Sequence, residues 1–420
     1  MSIVAKKNNI YLDNAASTPI DLRVKKVMSK AGNFYGNPSS FNDIGRIAAE
    51  NLKESRLVIA KFLSAHPDEV VFTSSGSEAN SFAIQGIARN FQFSIFNFKK
   101  TYKIQETRFK PHIVTTRIEH PSVLKMVKHL EKEGFDATYL SVDKEGFINI
   151  GELGKSLRPE TILVSVMYAN NEIGTIQPIA EVFKAIKNFR NENMEISRYK
   201  NISLYEKFPI FHTDACQAAE YLDMNVNNLG VDLLTFNGAK IYGPKGVAVL
   251  YKKRGIGLAP LIYGGDQEYG LRAGTENLPA IAGLAKALSL VDKRGGARVS
   301  KLRDYLLFKI KRIIPEVMIN GPGGEKRLPN NINISIPNLD SENLLLELDK
   351  YGICASSGSA CMARSVEPSH VLKAIGVESW YLNGALRFSL GRQTTKNDID
   401  YVLKVLPKVV RDLKKRYNKN

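Results

Sequence analysis

The chain has 420 residues, 44% of them hydrophobic, with 59 Lys and Arg against 42 Asp and Glu for a formal net charge of +17. This length and composition suit a globular protein of two lobes, or one large domain with an appendage, with enough apolar residues for sizeable cores. No apolar run reaches the roughly 18 residues of a membrane-spanning helix, and Cys216, Cys354 and Cys361 form no CxxC pair and suggest no disulfide framework.

The N-terminal stretch MSIVAKKNNIYLDN has no long apolar segment, so no targeting peptide is expected. With so few cysteines, a reducing cytoplasm is the expected setting. Strands are then predicted at 69–75 (EVVFTSS), 112–116 (HIVTT), 137–142 (ATYLSV), 161–168 (TILVSVMY), 208–214 (FPIFHTD), 231–237 (VDLLTFN) and 246–251 (GVAVLY). Helix-length patterns such as NSFAIQGIARNF and PSVLKMVKHLEKEG separate most of them. Near-continuous apolar strands alternating with helices predict an α/β fold with a mostly parallel sheet covered on both faces. Two polar stretches, 92–110 and 188–207, read as surface insertions.

From 279 the pattern changes. A long helix-like region (279–314) precedes the turn NGPGGE, then NINISI, the helix SENLLLELDK, a cysteine loop, GALRFSLG and a C-terminal helix. This predicts a smaller α+β lobe. Lys408, Arg411, Lys414, Lys415, Arg416 and Lys419 make the C-terminal end basic. A solvated helix face explains them, and attraction to an acidic partner or RNA is the alternative. No basic motif interleaved with aromatics supports direct base recognition.

Open α/β sheets place ligands at the carboxyl ends of their strands, and four such ends are polar here. TSSGSEAN (73–80) offers backbone N–H groups and a hydroxyl where a helix begins, an anion cradle around Gly76 and Ser77. MYANNEIG (167–174) puts Asn171 after a strand, HTDACQ (212–217) ends a strand in Asp214, and FNGAKIYGPKG (236–246) sets Lys240 before a Gly-Pro turn. TRIEHPSV (116–123) adds His120 at a helix start, and GALRFSLGR (384–392) puts Arg387 in a strand. Each alone has an ordinary explanation: a turn cap, a solvated loop charge or a surface ion pair. Their order, anion cradle then histidine, asparagine, aspartate and lysine, suits pyridoxal phosphate. That group needs its phosphate held, its ring stacked, its pyridinium nitrogen paired and its aldehyde captured by a lysine.

These residues, with YLDNAASTP (11–19), GNPSS, NNEIG, KIYGPKG, RAGTEN, SSGSAC and RFSLGR, make the chain resemble the group I, NifS/IscS-type cysteine desulfurases. These are fold-type I pyridoxal-phosphate enzymes of aminotransferase class V. The likeness runs from residue 11 to about 400. It implies a large cofactor-binding α/β domain over 18–262 with a seven-stranded sheet. It also implies a small α+β domain from 1–17 and 263–420 that carries the cysteine loop at 354–367. The reaction implied removes sulfur from L-cysteine, giving L-alanine and a persulfide on Cys361 for iron–sulfur assembly or tRNA thiolation. Lys240 would form the Schiff base, Asp214 would pair the pyridinium nitrogen, and Asn171 and Gln217 would hold the ring hydroxyl. His120 would stack on the ring and move protons. Gly76, Ser77 and Asn237 would hold the phosphate, and Thr275 would reach the phosphate of a neighbouring subunit in a homodimer. Arg387 with Asn37 would bind the substrate carboxylate. Apart from the resemblance, Arg364 near the thiol is a candidate electrostatic helper for the Cys361 thiolate, a solvated side chain being the alternative. No membrane, nucleic acid or metal is implied.

Departures from the family pattern fall at the phosphate end. Ala239 stands where histidine is usual, Asn237 where serine or threonine is usual, Ser75 for glycine and Ser77 for threonine. Away from these positions, Tyr269 sits where an arginine is frequent. Weaker cofactor retention with intact chemistry is expected. A selenocysteine lyase or aminotransferase-like relative, and a degenerate sulfur-protein scaffold, remain alternatives at this point.

Overall fold

The structure, a computed structural model, describes residues 9–102, 110–196, 208–358 and 368–417. Strand β1 (Ile10–Tyr11) leads into helices α1 (Leu22–Ala31) and α2 (Asp43–Leu63). Their starts are fixed by side-chain caps: Asp21 accepts from the Arg23 N–H and Asn42 from the Gly45 N–H. Alternation follows: β2 (Val70–Thr73), α3 (Gly76–Tyr102), β3 (His112–Thr116), α4 (Pro121–Lys132), β4 (Asp136–Leu140) and α5 (Ile150–Ser156). Then come β5 (Thr161–Ser165), α6 (Ile179–Ile196), β6 (Ile210–Asp214), α7 (Val226–Leu229), β7 (Leu233–Asn237) and β8 (Ala248–Lys252).

All seven expected strands enter one sheet, ordered β2-β8-β7-β6-β5-β3-β4. Only β8 runs against its neighbours. Helices cover both faces, so β2, β3, β5 and β6 are buried at every position. This is why their sequences run apolar without alternating. Helices α3 and α6 continue to Tyr102 and Ile196, so the polar stretches expected as insertions begin as helix extensions. Residues 103–109 and 197–207 of those stretches lie outside the described residues.

The region expected as one helix over 279–314 is two, α8 (Leu278–Ser289) and α9 (Lys293–Ile313). The reason is a change of core. Leu278, Ile281, Leu284 and Leu288 pack in the same core as α1, α2 and the sheet. Val299, Leu306 and Ile310 of α9 pack in a second core. Helical periodicity persists across the break while the direction of burial changes. The chain thus passes from the first core to the second between Leu288 and Val299.

The second core draws on β10 (Asn331–Ser335), α10 (Ser341–Lys350), β11 (Ile353–Cys354), β12 (Ala385–Ser389) and α13 (Lys396–Tyr417), with β9 (Met318–Ile319) at the sheet edge. Helices α11 (His370–Ala374) and α12 (Ser379–Leu382) instead put Val371, Leu372 and Leu382 into a separate cluster with Ile118, Met167 and Ile173. Strand β10 lies between β12 and β9, antiparallel to both. β11 pairs in parallel with β1, which ties the N-terminal strand to the small lobe. No helix among the described residues is long and apolar enough to cross a membrane.

Candidate active site

A cleft of about 190 Å³ opens where β2, β5, β6 and β7 end. Its floor includes Asp214, the last residue of β6 and 6% exposed. The carboxylate is held at both oxygens: Oδ1 accepts from the Cys216 N–H at 2.9 Å and Oδ2 from Asn80 Nδ2 at 2.7 Å. A buried carboxylate needs such partners or a cation, and a pyridinium N–H fits that requirement.

His120 caps α4, its Nδ1 accepting from the Ser122 N–H at 3.1 Å and lying 2.8 Å from Ser122 Oγ. Pro121 at the first helical position presets the turn, so sequence alone fixes where the imidazole stands. Also lining the cleft, β7 ends at Asn237 and Lys240 follows in a short 3-10 turn, its Nζ donating to the Ala16 carbonyl. Asn171 follows β5, and its carbonyl accepts from Arg387 Nη1 at 3.0 Å. Gln217 donates to the Ala15 carbonyl at 3.0 Å.

Helix α3 opens with Gly76 at one end of the cleft, where first-turn N–H groups have no helical acceptor. A Cβ at Gly76 would come within 2.8 Å of Cys216 Sγ and 3.0 Å of Asn237 Nδ2, so a side chain there would fill the cradle. Asn237 Nδ2 reaches Cys216 Sγ at 3.4 Å, and its buried Oδ1 has no partner. An anion cradle with donors at hand, a buried carboxylate for a ring N–H and a lysine in the same cleft fit pyridoxal phosphate. Burial pushes the Cys216 thiol well above its ordinary value, so it remains protonated and unreactive near neutrality.

Arg387 is 1% exposed, with Nη2 on Asp13 Oδ1 at 2.9 Å and a buried Nε that has no partner. A guanidinium so placed, lining the cleft with one donor unspent, can take a carboxylate. Behind His120 lies Glu119, fully buried, with Oε1 accepting from Met167 N–H and Thr116 and Oε2 without a partner. Burial, with a smaller contribution from the Asp214 charge, pushes its carboxyl up to about 8. His212, in the sheet beneath, is pushed down to about 4 by burial.

Gly76, Ser77, His120, Asn171, Asp214, Gln217, Asn237, Lys240 and Arg387 all line this cleft. Asn37 and Thr275 do not: both are exposed, and Asn37 Oδ1 accepts from the Ser39 N–H. Cys361 and Arg364 lie outside the described residues. Sequence reasoning missed Asn80, Ser122, Asp13 and Glu119. Asn80 sits four residues after Gly76 on a helix, and that spacing puts both on one face. Ser122 follows the histidine within the cap, so the sequence marked where both stand but not what they bond.

The class-V aminotransferase family matches residues 10–402. A cysteine desulfurase IscS of Dictyoglomus turgidum is 43% identical over 97% of this chain and 96% of its own length. One of Methanosarcina thermophila is 40% identical over 98% of this chain and 95% of its own length. Among solved structures, a NifS-like protein superposes with TM-score 0.83 at 34% identity, covering 97% of this chain and 100% of its own. SspA, solved in complex with cysteine, gives 0.73 at 32% identity over 92% of this chain and 100% of its own. Family, fold and cleft thus agree, and the chain belongs to the pyridoxal-phosphate-dependent cysteine desulfurases of aminotransferase class V.

Proposed function

We propose that this cleft takes the sulfur of L-cysteine and loads it onto Cys361. The observation that carries the assignment is the convergence of Lys240, Asp214, His120, Asn171 and the Gly76 cradle at one set of strand ends, with Arg387 reaching in from the small lobe. Pyridoxal phosphate, held covalently by Lys240, supplies an electron sink for the substrate's α- and β-carbons. Asp214 keeps the ring nitrogen protonated, Asn171 and Gln217 orient the ring oxygen, and Gly76, Ser77 and Asn237 hold the phosphate. Arg387 binds the substrate carboxylate through its unspent Nε edge, which fixes the amino acid's orientation. Lys240 Nζ would also move the α-proton.

The Cys361 thiolate then attacks the substrate sulfur. An S–S bond forms, the Cβ–S bond breaks with its electron pair left on carbon, and a proton at Cβ completes alanine. L-Cysteine and the enzyme thiol become L-alanine and an enzyme persulfide, so no outside oxidant is consumed. Cysteine bound to SspA, a relative of this fold, supports the substrate assignment. Arg364 would aid thiolate formation at Cys361. The persulfide would pass to an acceptor protein of iron–sulfur assembly or tRNA thiolation, in the cytoplasm.

A homodimer completes the reading. Phe41 is 95% and Tyr35 81% exposed, with Ile44 and Ile47 of α2 half-open beside them. Exposed apolar patches of this kind mark interfaces. Tyr269 stacks on Arg56 of α2, 5.3 Å from its ring centroid, so the segment leading to Thr275 runs beside that helix. Thr275 would then reach the neighbouring phosphate and Asn37 would approach the substrate.

Alanine and sulfide formed from L-cysteine with a thiol reductant test the assignment. Wild-type protein yields both, while Lys240→Ala and Cys361→Ser yield neither above about a thousandth of its rate. Alanine release unchanged in Lys240→Ala would refute the reading.

A further inference from the structure

A chain of hydrogen bonds runs under the cleft from Asp214 to His120, and its direction can be read from the atoms. A carboxylate only accepts, so the Asn80 atom 2.7 Å from Asp214 Oδ2 must be the amide nitrogen. That nitrogen has one more hydrogen, and Ser122 Oγ lies 2.9 Å away to receive it. Having accepted, the Ser122 hydroxyl has a single hydrogen left, and its neighbour is His120 Nδ1 at 2.8 Å. The Ser122 backbone N–H donates to the same nitrogen at 3.1 Å. Two donors therefore converge on Nδ1, and the neutral ring must carry its proton on Nε2. Asn80 is 1% exposed and its Oδ1 is buried without a partner, so the amide is held for its two donations alone.

We infer that Asn80 and Ser122 are positioning residues that couple the ionised Asp214 to His120 and lock the imidazole as the Nε2–H tautomer. The inference rests on the proposed placement of His120 against the cofactor ring. Its consequence is a division of labour. A neutral His120 so locked presents a hydrogen-bond donor to the cleft and no lone pair, so it orients and polarises what lies over the ring. The α-proton must go to another group, and the amine of Lys240, which lines the same cleft, is the one we assign. The same link makes the two ends of the relay cooperative: whatever keeps Asp214 ionised also keeps the donor on His120 aimed inward.

Nitrogen-15 NMR of histidine-labelled protein tests this, with and without cofactor, on the alkaline side of the imidazole titration. His120→Gln assigns the signal among the six histidines. The expected wild-type pattern is an unprotonated Nδ1 and a protonated Nε2. In Asn80→Leu the two nitrogen shifts should move toward each other as the second tautomer becomes populated, and Ser122→Ala should show the same trend if Asn80→Leu does not fold. Turnover should fall about tenfold in kcat, with KM for L-cysteine nearly unchanged. A proton on Nδ1 in the wild type, or a tautomer unmoved in both variants, overturns the inference. The NMR result stands apart from desulfuration, so a failure of the proposed activity would be seen separately.

Discussion

At one end of the cleft Asp214 is wired through Asn80 and Ser122 to His120. At the other, Gly76 offers backbone N–H groups, and Asn237 shares one hydrogen bond with Cys216 while its Oδ1 has none. The ring end is directional: although Asn80 Oδ1 is left without a partner, as Asn237 Oδ1 is, each hydrogen bond from Asp214 to His120 has one permitted direction, and a substitution along it reverses or orphans a neighbour. The phosphate end relies on the open first turn of α3, which any sequence with Gly76 supplies, so its side chains can drift. Each departure noted at the cofactor cradle itself (Ser75, Ser77, Asn237 and Ala239) lies at this second end. The comparison teaches that the chain concentrates its constraint where charge must be controlled during reaction.

Substitutions can break that comparison. The largest effect is expected at the ring end: Asp214→Ala should lower kcat/KM for L-cysteine by about 10³-fold, because it removes the charge proposed to pair the ring nitrogen and orphans Asn80. Steady-state alanine formation with saturating cofactor reads it. Next comes Arg387→Lys, about 10²-fold in kcat/KM and mostly in KM, because a single ammonium nitrogen cannot reach Asp13, Asn171 and a substrate carboxylate as three guanidinium nitrogens can. At the phosphate end the expected change is smaller and of opposite sign. Asn237→Ser combined with Ala239→His should tighten cofactor binding about tenfold, or about 1.4 kcal/mol, measured by titrating cofactor-free protein. Loss of affinity in that double variant would remove the contrast between the two ends.

The smallest change in turnover is expected at Glu119→Gln, yet its stability should respond to pH. Burial raises the Glu119 carboxyl from its ordinary 4.5 to about 8. The folded chain therefore holds a proton there that the unfolded chain has lost, between those two values. Stability from this group is complete below about 4.5 and is lost as pH rises through about 8, on the order of 1.4 kcal/mol for each unit crossed. Glutamine cannot ionise, so thermal unfolding of Glu119→Gln should fall less steeply with rising pH in that window. Parallel curves for variant and parent would contradict the burial argument. His212 works in the other window: pushed down to about 4, it supports the fold above its ordinary 6.5 and loses that support as pH falls toward 4.

Much of the site could be read before the fold. Strand ends were legible because apolar runs stop at Ser75, Asp214 and Asn237, and a carboxylate or lysine at such an end is conspicuous. His120 was legible because Pro121 marks a helix start. Asn80 and Ser122 were not, although both stand in stretches that drew attention, because a hydrogen bond's partner and direction exist only once three elements meet. Arg387 was legible as a carboxylate binder, but its pairing with Asp13 spans the length of the chain. The break between α8 and α9 was hidden for a similar reason: helical periodicity continues through it, and only the choice of core changes. Asn37 and Thr275, expected near the chemistry from family likeness, sit exposed on the single chain. A second subunit is what would bring such residues to a cleft.

The central claim is that sulfur leaves L-cysteine in this cleft and arrives on Cys361. Mass spectrometry of the peptide containing Cys361, after brief exposure of cofactor-loaded protein to L-cysteine without reductant, tests it most directly. The account predicts a gain of one sulfur atom on that peptide, absent in Lys240→Ala. An unmodified peptide alongside released alanine, or sulfur found on Cys216 or Cys354 instead, would contradict it.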